Sequence, residues 1–175
     1  AIYQRGAGKT VTIGTSASTS ASSPEIYGTV QGIYATDTNG VTIYCYSGKI
    51  GVGGSTGNPV INNNGTTIIG SQVANKTKSP TIVFCSNNSD SNTPVVDTGT
   101  LVYYSGTIGS VGGKYYGVSS VRHIPLMFKS SNFVNETSGE CNVTYYGGTN
   151  NKNMSVAING QTYYMGPYNS LTYTK

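Results

Sequence analysis

Six side chains of this 175-residue chain can carry negative charge for acid–base work, Glu25, Asp37, Asp90, Asp97, Glu136 and Glu140, and one can act as an imidazole base, His123. General acid–base catalysis needs two such groups held in one site with their pKa values pushed apart. No pair here has that context. Glu136 and Glu140 flank a Ser-Gly turn beside Cys141 and read as a solvated loop. His123, in "SSVRHIPLMF", lacks the orienting third group of a nucleophile–base pair and reads as a surface or packed residue. "GAGKT" at residues 6–10 resembles the end of a phosphate-binding loop, but GxxxxGK[ST] requires glycine where Tyr3 stands, with a helix following. "DTNG" (Asp37–Gly40) and "SDSN" (Ser89–Asn92) resemble calcium loops, yet each offers one carboxylate and no distal Glu, so they read as Asx-type turns. The chain is therefore expected to be no enzyme, with no catalytic residue, metal or cofactor.

Cys45, Cys85 and Cys141 show no CxxC spacing, and one histidine leaves too few ligands for zinc. One disulfide and one odd thiol is the natural count. Cys85 closes "PTIVFC" and Cys141 opens "CNVTYY", so antiparallel neighbours would bring them together; Cys45, inside "VTIYCYS", is an equally good partner by sequence.

The modification chemistry is more abundant. Asn64, Asn75, Asn87, Asn135, Asn142 and Asn153 all head N-x-[ST] sequons, the acceptors of N-linked glycans. Asn64, Asn75, Asn87 and Asn135 fall in predicted loops; Asn142 and Asn153 start predicted strands. Tyrosines cluster at "LVYY", "KYYGV", "VTYYGG" and "TYYMGPY", where their rings would cover a sheet face or stack on sugars.

Such residues need a scaffold, and the composition says which kind. Only 9% of the residues are charged, while Gly (24) and Tyr (15) are plentiful. Ordinary soluble proteins carry about a quarter charged residues. Disordered chains lack the short runs of Ile, Val, Thr and Tyr found here. The profile is that of a secreted all-β protein. The net charge of +4 comes from scattered Lys and Arg with no basic aromatic stripe, which argues against nucleic acid as a partner. No run approaches the roughly 18 apolar residues of a membrane span, and a start at Ala1 without an apolar leader reads as a mature chain.

Period-two runs recur along the chain, and helical spacing is nearly absent. The hairpin signal is clearest in "VAINGQTYY", where Asn159-Gly160 suits a type I′ turn; Asn39-Gly40 and Asn64-Gly65 read as further turns. No fixed-period repeat stands out, which disfavours solenoids and propellers. The expected fold is all-β, an immunoglobulin-like or pilin-like β-sandwich with an extended N-terminal donor strand, a barrel being the alternative. Residues 1–24 read as donor strand and Ser/Thr-rich linker ("TSASTSASSP"), and residues 25–175 as the sandwich domain.

In "GAGKTVTIGTSAS" the residues Ala7, Val11, Ile13 and Ala17 share one face of an extended chain. A strand tethered by a flexible spacer is able to complete another domain's sheet, and passed head to tail between identical subunits it propagates a filament. This donor arm, the Ser/Thr-rich spacer, the all-β body and the final strand "SLTYTK" together resemble donor-strand-exchange filament subunits. The richness in Tyr, Asn, Thr and Ser, the scarcity of charge and the six sequons are most similar to archaeal surface threads of the Sulfolobus type, and more distantly to bacterial chaperone-usher pilins. The resemblance implies an extracellular filament at the cell surface, built of identical subunits in a helical array. It also implies N-linked glycans, and a role in adhesion to a host or neighbouring cell or in biofilm contact. The second reading is the carbohydrate-binding domain of a fimbrial adhesin, with loop Tyr and Asn as ligand contacts.

Overall fold

Ile2, Ile33, Ile61, Val96 and Phe128 stand one behind another in a single column of strand-paired residues, although roughly 24 to 35 positions separate successive partners in columns of this kind. The computed structural model describes residues 1–14, 24–36, 40–52, 58–70, 81–83, 96–109, 128–136, 140–144, 154–165 and 170–174. These residues form strands and no helix.

The chain winds. A first circuit holds β1 (Ile2–Tyr3), β2 (Thr10–Ile13) and β3 (Glu25–Gly28); a second holds β4 (Ile33–Ala35), β5 (Thr42–Cys45) and β6 (Lys49–Val52). Then come β7 (Ile61–Ile69) with β8 (Thr81–Val83), β9 (Val96–Tyr103) with β10 (Thr107–Gly109), and β11 (Phe128–Asn135). Every pairing among these strands is parallel. One ladder runs β1–β4–β7–β9–β11, a second runs β2–β5–β7–β9–β11, and a third runs β3–β6–β8–β10. Strand β7 serves the first two ladders at once, with a bulge between Asn63 and Thr66. The joined sheet is therefore curled like half a barrel. The result is a parallel β-coil, each circuit laid on the one before.

This corrects two expectations. The fold is β-rich, but an immunoglobulin-like or pilin-like sandwich is built on antiparallel neighbours, and these ladders are parallel. A solenoid was disfavoured for want of a fixed period, yet the circuits are present with unequal loops. Aligned by register, "AIYQRGAGKTVTIG", "GIYATDTNGVTIYC", "PVINNNGTTIIG" and "PVVDTGTLVYY" are four versions of one segment, and "YSGKIG" (46–51) returns as "YSGTIG" (104–109).

Alternation decides which side chains face in. In β2 and β5 every second residue is buried, putting Val11 and Ile13 beside Ile43 and Cys45. Inside the coil, Ile33, Ile61 and Val96 stack in one column, Ile43, Thr67 and Leu101 in another, with Ile50 on the third side, all fully buried. β-Branched residues suit this setting, since a ladder of like side chains packs rung on rung, and each buried Ile or Val is worth roughly 1.5–3 kcal/mol of transfer free energy.

At the bend between the first two ladders the interior turns polar. The Oδ1 of Asn63, a fully buried side chain, accepts the N–H of Val41 (3.2 Å) and of Gly65 (2.9 Å). Its Nδ2 donates to Val41 O (3.0 Å) and to Thr67 Oγ1 (3.2 Å). Thr67 Oγ1 meets Thr98 Oγ1 at 2.9 Å. A bend interrupts the backbone ladder, and these side chains satisfy the groups left over. Glycine is required outside the same corner, because a Cβ on Gly65 would strike the Val41 carbonyl and one on Gly99 the Asn64 carbonyl. Asn64-Gly65 is thus a bulge within β7 and not a hairpin turn.

The expected hairpin at Asn159-Gly160 is present: β13 (Met154–Ile158) pairs antiparallel with β14 (Gln161–Met165), and both turn residues have positive φ, 48° and 79°. β12 (Glu140–Thr144) pairs antiparallel with β15 (Ser170–Thr174), setting Cys141 opposite Tyr173.

Candidate functional site

The N-terminal arm is seated in its own chain. Ile2 N–H donates to Gly32 O (2.8 Å) and Gln4 N–H to Tyr34 O (3.0 Å). Thr42 N–H donates to Lys9 O (3.0 Å) and Tyr46 N–H to Ile13 O (2.9 Å). Val11 and Ile13 point inward and are buried. Ala7, expected on the same face, is exposed in a turn between Gly6 and Gly8, which breaks the extended run. Ala17 lies outside the described residues. Among the described residues β1 pairs only with β4, and β2 only with β5, so the arm forms the outermost rung of both ladders. Residues 1–14 and the coil thus share one core, where the sequence placed a boundary at residue 24.

The far end of the coil is covered differently. The hairpin turn lies against β11: Asn159 N–H donates to Phe133 O (3.1 Å), and Asn159 Oδ1 accepts the N–H of Asn135 (2.8 Å). Ile158, at the turn's base, is fully buried. The Asn-Gly turn therefore acts as a clasp over the edge of β11.

Cys45 is a free thiol inside the coil, between Ile13 and Ile69 in register. Burial pushes its pKa up to about 12. It is not a disulfide partner here; Cys85 lies outside the described residues, and Cys141 is placed only by its register. The carboxylates that are described stand on separate elements: Glu25 in β3, Asp97 in β9, Glu136 after β11 and Glu140 in β12. Glu25 bonds Lys49 across β3 and β6 at 3.2 Å, and the hydrogen bond and charge of Glu25 raise the Lys49 pKa; so exposed a pair adds little stability. Asp37, Asp90 and His123 lie outside the described residues. Among the described residues no group of three or more His, Cys, Asp or Glu converges on a metal-sized site, and no helix is long and apolar enough to cross a membrane.

The sequons separate by burial. Asn64 is exposed at the β7 bulge, its Nδ2 donating to Thr36 O at 2.9 Å. Asn135 is the last residue of β11 and fully buried. Neither stands in the loop that the sequence suggested: the first belongs to the residue by which β7 exceeds β9 at the bend, the second to the last rung of the interior. Asn142 lies in β12; Asn75, Asn87 and Asn153 lie outside the described residues.

Among the described residues tyrosine rings stack in two places. Tyr3 stacks on Tyr34 (centroids 5.4 Å apart), and Arg5 lies over the Tyr3 ring at 5.2 Å with its Nε donating to Tyr3 Oη (2.6 Å). Tyr3 remains 58% exposed, beside a shallow groove of about 270 Å³ lined with it by Ile2, Val30, Gln31 and Tyr34. On the second ladder Tyr44 stacks on Tyr46, centroids 5.5 Å apart. Burial, then the phenols of Tyr44 and Tyr104, raise the Tyr46 pKa.

Comparison with models of known protein families, with curated proteins and with solved structures finds no match for this chain. The signal that sequence reading missed was the recurring G-(x)-T-x-x-x segment, at Gly40, Gly65 and Gly99, which places a glycine at the bend and a threonine outward on each following strand.

Proposed function

We propose that this chain is a structural subunit of an extracellular filament, in which residues 1–14 of one copy occupy the β1 and β2 positions of the next. The reading rests on one observation: the arm's two strands are edge strands, each hydrogen-bonded to a single partner strand among the described residues, with one further bond from the Ala1 amine to Tyr27 O (3.0 Å). The segment joining it to β3 is the small, polar "TSASTSASS". Such a rung can leave one body and enter an identical one with every contact kept, Ile2 on Ile33 and Val11 on Ile43. Exchange between copies passed in one direction does not close on itself, so it builds a fibre.

The likeness to donor-strand filaments is then one of assembly. The donor completes a parallel coil, and the pilin-like sandwich is not needed for it. Low charge, surface glycans at the sequons and a role in adhesion or cell–cell contact belong to the same proposal, as does a non-catalytic role.

Negative-stain electron microscopy of chain refolded at high concentration tests it. Filaments are expected from the intact chain and none from a chain lacking residues 1–14. Monomers from both, at every concentration, contradict it.

A further inference from the structure

The outward face of the second ladder has a chemistry that the filament reading does not use. Thr10, Thr42, Thr66 and Thr100 follow one another in register on β2, β5, β7 and β9, each outward of the buried residue beside it. Neighbouring rungs of a sheet lie about 4.8 Å apart, so four hydroxyls form a straight array of donors and acceptors. The next outward column includes Tyr44, and Tyr44 and Tyr46 form a stacked pair. Two rings so stacked leave one face of each turned from its partner. The two outward columns that begin at Thr10 and Thr12 and run to Asn132 and Val134 hold no Asp, Glu, Lys or Arg; Asp97 and Lys129 pair on the other side of the bend, and Glu136, whose N–H donates to Tyr103 O, lies beyond the end of β11.

We propose that this face binds a linear, neutral polysaccharide along the axis of the coil. Sugar rings offer apolar C–H faces to aromatic rings and hydroxyls to hydroxyls, the two groups this surface presents. Columns without Lys or Arg give no electrostatic pull to nucleic acid or to acidic polymers. A repeating ladder meeting a repeating chain sums weak contacts, since each further sugar is held at high local concentration by those already bound. The proposal does not depend on filament formation, because the array from Thr42 to Thr100 lies in the body of the coil.

The test is affinity electrophoresis of the full chain, produced without glycans, through gels holding xylan, mannan, hydroxyethyl cellulose or glycol chitin, with polygalacturonate as the acidic comparison. Retardation by at least one neutral polymer and not by polygalacturonate is expected. The near-isosteric T42V/T66V/T100V variant should weaken it roughly tenfold or more, as losing three ordinary hydrogen bonds implies, with an unchanged circular dichroism spectrum. Y46A should weaken it as well, and serves as the second probe if the triple variant does not fold. Migration unaffected by every neutral polymer, equal retardation by polygalacturonate, or retardation that both variants retain overturns the proposal.

Discussion

Val11 lies opposite Ile43 in parallel register, one on the outermost rung of the coil and the other on the first rung of the body, both facing the core. The hold of residues 1–14 on the body rests on the buried Val11 and Ile13, on Ile2 packed against the same core, on the Tyr3–Tyr34 stack and on a short run of hydrogen bonds that includes Ala1 N to Tyr27 O.

Truncating Ile13, 3% exposed, to Ala should cost about 2–4 kcal/mol of arm docking, from lost transfer energy and the cavity left over Cys45. Hydrogen exchange should show the amides of Thr42 and Tyr46, which donate to Lys9 and Ile13, losing protection while those deeper in β7 and β9 keep theirs. Equal loss throughout would mean that the arm and the body unfold as one unit.

Cys45 gives a pH signature. Its folded pKa, about 12, lies above the ordinary 9.0, so the folded state holds this proton more tightly than the unfolded one. The contribution is complete below pH 9 and is lost as pH rises from there towards 12. A Cys45→Val variant should flatten that part of the stability curve relative to the wild type, read by urea midpoints at pH 8 and pH 10.5. In the native chain the thiol should resist Ellman's reagent at pH 8 and react once unfolded.

Asn63 organises the bend. Asn63→Leu would strand the N–H groups of Val41 and Gly65, while the Val41 carbonyl keeps the Thr66 N–H, and a buried unpaired group costs about 1–3 kcal/mol. A loss of at least about 2 kcal/mol in denaturant midpoint is expected. A neutral result would mean that water reaches the corner. Asn62→Leu, one residue along the same strand and only half-buried, is the matched comparison.

Glycan mapping by mass spectrometry of the chain from its native source should find Asn64 occupied and Asn135 bare. The first is exposed, and the second leaves no room for a sugar in the folded coil. Occupancy at Asn135 would require that strand β11 open or be modified before it folds.

Much of this was legible in the sequence, and the reason for the rest is physical. Alternation in "KTVTIG" and "VTIYCY" marks strands and their buried faces, and Asn159-Gly160 marks its own hairpin, because both are local properties. Parallel pairing is not local. Thr42 and Thr66 become neighbours only after a full circuit, and the circuits differ in length, so no single period appears. The same alternation fits an antiparallel sandwich equally well. The arm is ambiguous for a related reason: Val11 and Ile13 have the pattern of a donor strand, and that pattern is the same whether the acceptor is another copy or the chain's own β5. Asn63 gave no signal, since a buried amide at a bend looks in sequence like any loop asparagine.

The central claim is that the arm is exchanged between copies, and a cysteine pair tests it most directly. Thr12 and Tyr44 face each other in register on β2 and β5, on the outward side. A T12C/Y44C chain, with Cys85 and Cys141 changed to Ser, should be oxidised after refolding at high concentration and run on a denaturing gel without reductant. A ladder of covalent multimers that collapses to monomer on reduction is the predicted result. A single monomer band whose mobility shifts on reduction would place the arm in its own chain and contradict the account.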